Sequence, residues 1–211
     1  MVEPLEKLYT EENDPYFPCG LYLFKNPDPR KSYTISIDTA KGGAHDYHAA
    51  HVNEIDTGFQ VAEYRSRIPL ELFNPRAMKL GNQYNNALAA IENNNMGIAT
   101  NLFFKGQGYP NIYEYQNPLY PGKSEIGFPT NTLTRPLLIE ELSTCIRENV
   151  SGIQGIRTVN EMLNFAWIRK GASVKAEAVE GKHDDLVMSY GIGRYVRKTA
   201  PMEIFLPPIF S

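Results

Sequence analysis

Apolar and polar positions alternate along Ser32-Tyr33-Thr34-Ile35-Ser36-Ile37-Asp38, the period-two signature of a strand with one face in a core. Ala49–Val52 and Phe59–Arg65 are two further strand patterns around the turn Asp56-Thr57-Gly58. Three strands joined by short turns predict an antiparallel meander. Pro69–Tyr84 then changes to helical spacing, with Leu72, Ala77, Met78 and Leu80 among its apolar positions. Ala87-Leu88-Ala89-Ala90-Ile91-Glu92 is apolar up to its closing acid, as in a central strand covered on both faces. Asn93-Asn94-Asn95-Met96-Gly97 interrupts it. Ile98–Lys105 predicts a second helix and Ile112–Tyr115 a short strand.

Residues 116–133, rich in Pro, Gly and Asn, read as a loop or hairpin. Thr134 is the expected cap of a helix reaching Asn149, with Leu137, Leu138, Leu142, Cys145 and Ile146 on one side. Thr158-Val159-Asn160-Glu161 matches a capping box for a short helix. Phe165–Lys170 and Ser173–Ala178, split by Gly171-Ala172, predict a hairpin on which Trp167 is expected in the core. A last helix opens at Gly181-Lys182-His183-Asp184-Asp185. From Asp184, helical steps reach Met188, Gly191 and Tyr195 as a core-facing stripe. The small Gly191 and Gly193 would let this helix lie close against the strands. Residues 1–32 read as a leader with one short strand, Leu21–Phe24, residues 33–198 as the folded domain, and 199–211 as an irregular tail. The order of elements, a meander leading into alternating strands and helices, predicts an α/β fold with a central mixed sheet flanked by helices.

Composition changes this picture little. A chain of 211 residues, 42% hydrophobic and 21% charged, fits one ordinary soluble globular domain, with the N-terminal leader suggesting a piece of a longer protein. The sequence has no run long and apolar enough for a membrane span, and its first residues lack a signal-peptide core. Cys19 and Cys145 lack metal-ligand spacing and suit a reducing compartment. The net charge of -3 argues against a chain built mainly to bind nucleic acid, yet charge is unevenly spread. Residues 1–100 carry 9 Lys and Arg against 13 Asp and Glu, whereas residues 151–211 carry 8 against 6. Two of those six acids are Asp184 and Asp185. A basic region around an acidic spot is compatible with a phosphate backbone meeting a metal.

The candidate chemistry lies in acids at element ends. An Asp-Asp pair opening a helix is by itself a cap that complements the dipole. Its company changes the reading: Asp38 ends the first meander strand and Glu92 ends the apolar strand. If those strands are neighbours and the last helix crosses them, Asp38, Glu92 and Asp184 meet. Clustered carboxylates need a compensating cation, and hard oxygen ligands favour Mg²⁺ or Mn²⁺. Two ions about 4 Å apart would suit phosphoryl chemistry, with Asp38 bridging and Glu92 and Asp184 each completing one shell. Pro121-Gly122-Lys123-Ser124 comes near a P-loop, but the required upstream Gly is Asn117 and the context is a loop, so nucleotide binding is not expected.

The order of Asp38 in SIDTAKGGAHDY, Glu92 in AIENNNMG and Asp184 in EGKHDDLVMSYGIG resembles the nuclease domain of the large terminase subunit of tailed bacteriophages, over roughly Tyr33 to Val196. That resemblance implies an RNase H-like fold and a metal-dependent endonuclease using two Mg²⁺ or Mn²⁺ ions. Its substrate would be concatemeric double-stranded viral DNA, cut with little sequence preference in the cytoplasm of an infected bacterium. It makes Asp38, Glu92 and Asp184 the catalytic ligands and Asp185 a supporting acid, and it matches Asp46 to a recurrent family acid. The full-length subunit would add an N-terminal ATPase domain, absent from this sequence, and partners in the small terminase subunit and the portal; the isolated domain is expected to be monomeric. Lys123, Arg169, Lys170, Lys175 and Lys182 form a group of candidate phosphate contacts, and His183 a candidate auxiliary group beside the metals. The alternatives are a Holliday-junction resolvase of the same fold, a metal-independent glycosidase built on paired carboxylates, and a non-catalytic module docking on DNA or a portal.

Overall fold

The computed structural model describes residues 2–8, 19–40, 46–171 and 173–199, without the side chains of Lys170 and Ser173. The expected Gly-rich loop at 41–45 and almost all of the tail at 199–211 lie outside these residues. In chain order the elements are β1 (Glu6–Leu8), β2 (Gly20–Leu23), β3 (Tyr33–Asp38), β4 (His48–Glu54), β5 (Gln60–Ser66), α1 (Leu70–Gln83), β6 (Leu88–Ile91) and α2 (Asn95–Gly106). There follow β7 (Glu114–Gln116), β8 (Ser124–Ile126), α3 (Thr134–Arg147), α4 (Ile156–Met162), β9 (Phe165–Lys170), β10 (Ser173–Ala178) and α5 (Asp185–Thr199). No helix among the described residues is long and apolar enough to cross a membrane.

The expected mixed sheet is present, six-stranded, in the order β1-β2-β5-β4-β3-β6. β3, β4 and β5 form the antiparallel meander, and β6 pairs parallel to β3 with Ile37 opposite Ile91. Alternation decides the faces. Tyr33, Ile35 and Ile37 of β3, with Ala89 and Ile91 of β6, enter a core beneath α1 and α2 built on Phe73, Ala77, Leu80 and Phe104. Leu88 and Ala90 face the other way, into a core with Leu138, Met188, Ile192 and Val196. Asp38 and Glu92 continue that second series, so both acids fall on the side covered by α5.

α5 is buried continuously from Leu186 to Arg194, because α3 and α4 pack around it as well as the sheet. The two glycines have different partners. A Cβ on Gly193 would lie 2.7 Å from Ser36 Oγ and 2.8 Å from Asn53 Nδ2, so its absence seats the helix on β3 and β4. A Cβ on Gly191 would instead meet Leu142 at 3.1 Å, so that residue serves the contact with α3 and not the strands.

Several sequence expectations are corrected. The short strand expected at Leu21–Phe24 is present as β2, one residue earlier, where it pairs with β5 and buries Leu21. Thr158 lies inside α4 and caps nothing, since Gly155 is the N-cap and Thr158 Oγ1 donates to Glu63 Oε2. At α3, Asn131 Oδ1 accepts the N–H groups of Leu133 and Thr134, so the capping side chain is Asn131 and not Thr134. Leu137 and Ile146 of that helix are exposed although Leu138, Leu142 and Cys145 are buried. Trp167 is not core: it is 65% exposed at the rim of an apolar groove that includes Ile139, Leu142 and Met162. Its ribbon has two strands only, and alternation cannot say whether anything covers a given face.

Candidate active site

The structure sets two of the candidate acids side by side and brings Asp184 and Asp185 near enough to act on Asp38. Parallel register places Asp38 and Glu92 side by side, with the Glu92 N–H donating to Ile37 O at 2.8 Å. Burial, then Glu92, then Asp185 and Asp184 push Asp38 well above the ordinary carboxylate range. Glu92 is 4% exposed.

α5 brings the other two. Asp184 precedes the helix and its carbonyl accepts the N–H of Met188 at 2.8 Å, so it starts the helical ladder. Its carboxylate is engaged by Arg135, whose Nη2 donates to Asp184 Oδ2 at 3.2 Å. Asp185 was expected only as a supporting acid. It is the deeper acid of the two, with its side chain 15% exposed against 29% for Asp184. It also acts on Asp38 more strongly than Asp184 does. Its Oδ2 is buried without a hydrogen-bond partner, while the backbone N–H of Tyr47 donates to its carboxyl. Burial, followed by Glu161, Asp184 and Asp46, raises Asp185 to about 8.

Around this pair stand residues that the sequence did not single out for the site. Glu161 accepts from Arg65 Nη1 at 3.1 Å and from the N–H of Leu186 at 2.8 Å, capping α5 from outside the helix. Burial nevertheless raises Glu161 to about 7. The ring of Tyr47 lies under the guanidinium carbons of Arg65 and Arg67 at 4.5 and 4.1 Å and meets His183 edge-on at 4.9 Å. His183 is therefore not a solvated side chain: its Nδ1 is 3.7 Å from Asp185 Oδ2. Burial, with Arg65 and Arg67, holds it below the ordinary histidine range. Asp46 is exposed, close enough to act electrostatically on both Asp185 and His183.

The predicted basic group does not form one patch. Lys123 is exposed in the turn joining β7 to β8, its Nζ 5.5 Å from the centroid of Tyr120. Arg169 pairs with Val174 and Lys175 with Ile168, so the two cations face opposite sides of the β9–β10 ribbon. Lys182 is exposed in the turn before α5, and the side chain of Lys170 lies outside the described residues.

The donor set fits a hard divalent cation. It is all carboxylate oxygen, it pushes Asp38 and Asp185 above the ordinary carboxylate range, and it includes a buried oxygen without a partner. Asp38, Glu92, Asp184 and Asp185 are the residues that would hold such ions. Among the described residues no three His, Cys, Asp or Glu side chains stand together at ligating distance of one point.

No protein-family model matches the chain. Its fold is similar to that of solved nucleases. The large terminase nuclease from thermophilic phage G20c with bound magnesium aligns with a TM-score of 0.65 and 21% identity, over 89% of this chain and 90% of that one. The large terminase nuclease domain of Thermus phage P74-26 aligns with a TM-score of 0.60 and 21% identity, over 82% and 83%. The G20c nuclease with bound zinc aligns at 0.59 and 20%, over 89% and 91%. At such identities the likeness is one of fold: an α/β arrangement with a mixed six-stranded sheet and flanking helices.

Proposed function

We propose that the chain is a metal-dependent endonuclease that hydrolyses phosphodiester bonds of double-stranded DNA in viral genome packaging. The observation that carries this reading is the convergence of Asp38, Glu92, Asp184 and Asp185 from β3, β6 and the start of α5, with Asp38 buried among the other acids. Such a cluster is costly unless a cation neutralises it. The structurally similar phage nucleases are described with magnesium, cobalt and zinc, which supports the same use of these acids here.

Bound Mg²⁺ or Mn²⁺ ions would supply a water of lowered pKa and charge for the departing 3′ oxygen. The chain's own residues do the rest. Asp38, Glu92, Asp184 and Asp185 are the residues that would hold these ions, and Asp38 is the one on which the other three act. His183 and the Tyr47 N–H orient Asp185. The buried sheet edge beneath keeps the acids at fixed spacing. In the full-length protein the partners would be an ATPase domain, a small terminase subunit and a portal, with concatemeric DNA as substrate in the host cytoplasm.

The test is direct. Plasmid incubated with the chain and Mn²⁺ or Mg²⁺ should be cut, EDTA should stop the reaction, and Asp38→Ala and Asp184→Ala should abolish it. A wild-type chain inert with both metals, or variants that cut as well as it does, would show the reading to be wrong.

A further inference from the structure

Arg135 was not singled out by the sequence, and its local position does not explain it. It lies in the first turn of α3, where a cation opposes the helix dipole. Its partners are remote instead. Nη2 donates to Ala176 O at 2.9 Å and to Asp184 Oδ2 at 3.2 Å, which uses both of that nitrogen's hydrogens and fixes the guanidinium between the β9–β10 ribbon and the acid cluster. The donors on Nε and Nη1 have no partner among the described residues, and the side chain is 29% exposed. The result is a held cation with three N–H groups still to fill, beside carboxylates that on the proposed reading cut DNA. A planar guanidinium of fixed orientation recognises a phosphate oxygen better than a mobile ammonium does.

Resting on that reading of the site, we propose that Arg135 is a phosphate-binding residue of the cutting centre. Its Nε and Nη1 groups would donate to a non-bridging oxygen of the bound DNA strand while Nη2 stays pinned to Ala176. The ribbon's contribution is thus a backbone carbonyl that aims the arginine, beyond any contact from Arg169 or Lys175.

The experiment separates binding from cutting. In an Asp38→Asn chain, binding of a labelled duplex is followed by anisotropy across a salt series, with and without Arg135→Ala. The substitution should weaken binding about tenfold or more, the loss of one charge-assisted hydrogen bond. It should also reduce the slope of log K against log salt by about one. Arg135→Lys should restore the slope. In the cutting-competent chain Arg135→Lys should leave KM near that of the wild type while lowering kcat, because charge returns without orientation. An unchanged slope with a lowered melting temperature would make Arg135 a structural pin of the ribbon and overturn the proposal. An unchanged slope with tighter Mn²⁺ binding by calorimetry would make it only a shield for Asp184, and would overturn it equally. If the wild type fails to cut while the salt-slope difference stands, the endonuclease reading falls and the phosphate contact survives. If the Asp38→Asn chain binds no duplex at all, both fall.

Discussion

Glu63 and Asp38 are acids on the same sheet, and their environments drive them in opposite directions. Burial works against the charge on Glu63, but Arg157 at 2.5 Å, His51 and the Thr158 hydroxyl outweigh it and hold Glu63 well below the usual carboxylate range. Arg157 is itself completed by Gly20 O at 3.1 Å and by the face of Tyr22 at 3.6 Å. His51 then bridges Thr158 at 2.9 Å to Ser189 at 3.1 Å, and Ser189 donates to Ser36 O at 2.9 Å. That network clamps α4 and α5 onto the sheet. Asp38 has the same kind of desolvation and three acids for neighbours, so every contribution raises it. The lesson is that burial does not separate a structural acid from a functional one; the presence of a built-in cation does. Glu63 is completed by Arg157, whereas the acids around Asp38 act on it without a cation in direct contact among the described residues, Arg135 standing at the edge on Asp184.

The largest expected effect breaks the cluster around Asp38. Asp38→Asn should lower cutting at least about a thousandfold, since several kcal/mol of charge stabilisation depend on the ligand it replaces. It should leave the melting temperature equal or higher, because a carboxyl already inclined to hold its proton loses little on becoming an amide. A melting temperature that collapses would make Asp38 structural.

Next comes the finished cluster. Arg157→Leu should destabilise by about 3–5 kcal/mol, as it strands the Glu63 charge in the interior. Adding Glu63→Gln should recover part of that loss in denaturant unfolding, and a purely additive double variant would contradict the coupling described above.

The two clusters should also respond oppositely to pH. Asp185 rises from 3.8 to about 8 on folding, so it binds its proton more tightly in the folded chain. Its contribution to stability is full below 3.8 and is lost as pH climbs to about 8. Glu63 is lowered from 4.5, so its contribution is present above that value and is lost as pH falls. Metal-free protein should therefore lose stability toward pH 8, and Mg²⁺ or Mn²⁺ should restore it. Asp185→Asn should remove that slope and raise stability at pH 8, since an amide carries no charge to bury. Thermal melts at several pH values, with and without metal, decide this.

The smallest effect concerns the helix that serves both clusters. Gly193→Ala should cost about 1–3 kcal/mol by pressing on Ser36 and Asn53, and Gly191→Ala less, since a Leu142 methyl can yield. Equal costs would mean that α5 is not seated more tightly on the strands than on α3.

Much of this was legible because it repeats at fixed period. Tyr33–Asp38 alternates, and so assigns Asp38 to the face of Ser36. The apolar run before Glu92 reads as a covered strand, and Asp184 opens a helix small enough at Gly193 to reach the strands. Where periodicity gave no information, the readings failed. Thr158 and Glu161 had the spacing of a capping box, yet long-range partners on β5 and α5 claimed both. Trp167 alternated like a core residue, yet it ends 65% exposed at the rim of the groove that Leu142 and Met162 line.

The sequence by itself therefore determined which acids exist, which strand face each occupies, and that an α/β sheet would bring Asp38, Glu92 and the helix start together. Tertiary structure alone decided which acids receive a cation. Arg157 reaches Glu63 across 94 residues and Arg135 reaches Asp184 across 49, contacts that leave no period in the chain. It also decided that Asp185 is buried more deeply than Asp184, because the packing of Tyr47 and His183 against the first turn of α5, and not helix geometry, sets how far each carboxylate is from water.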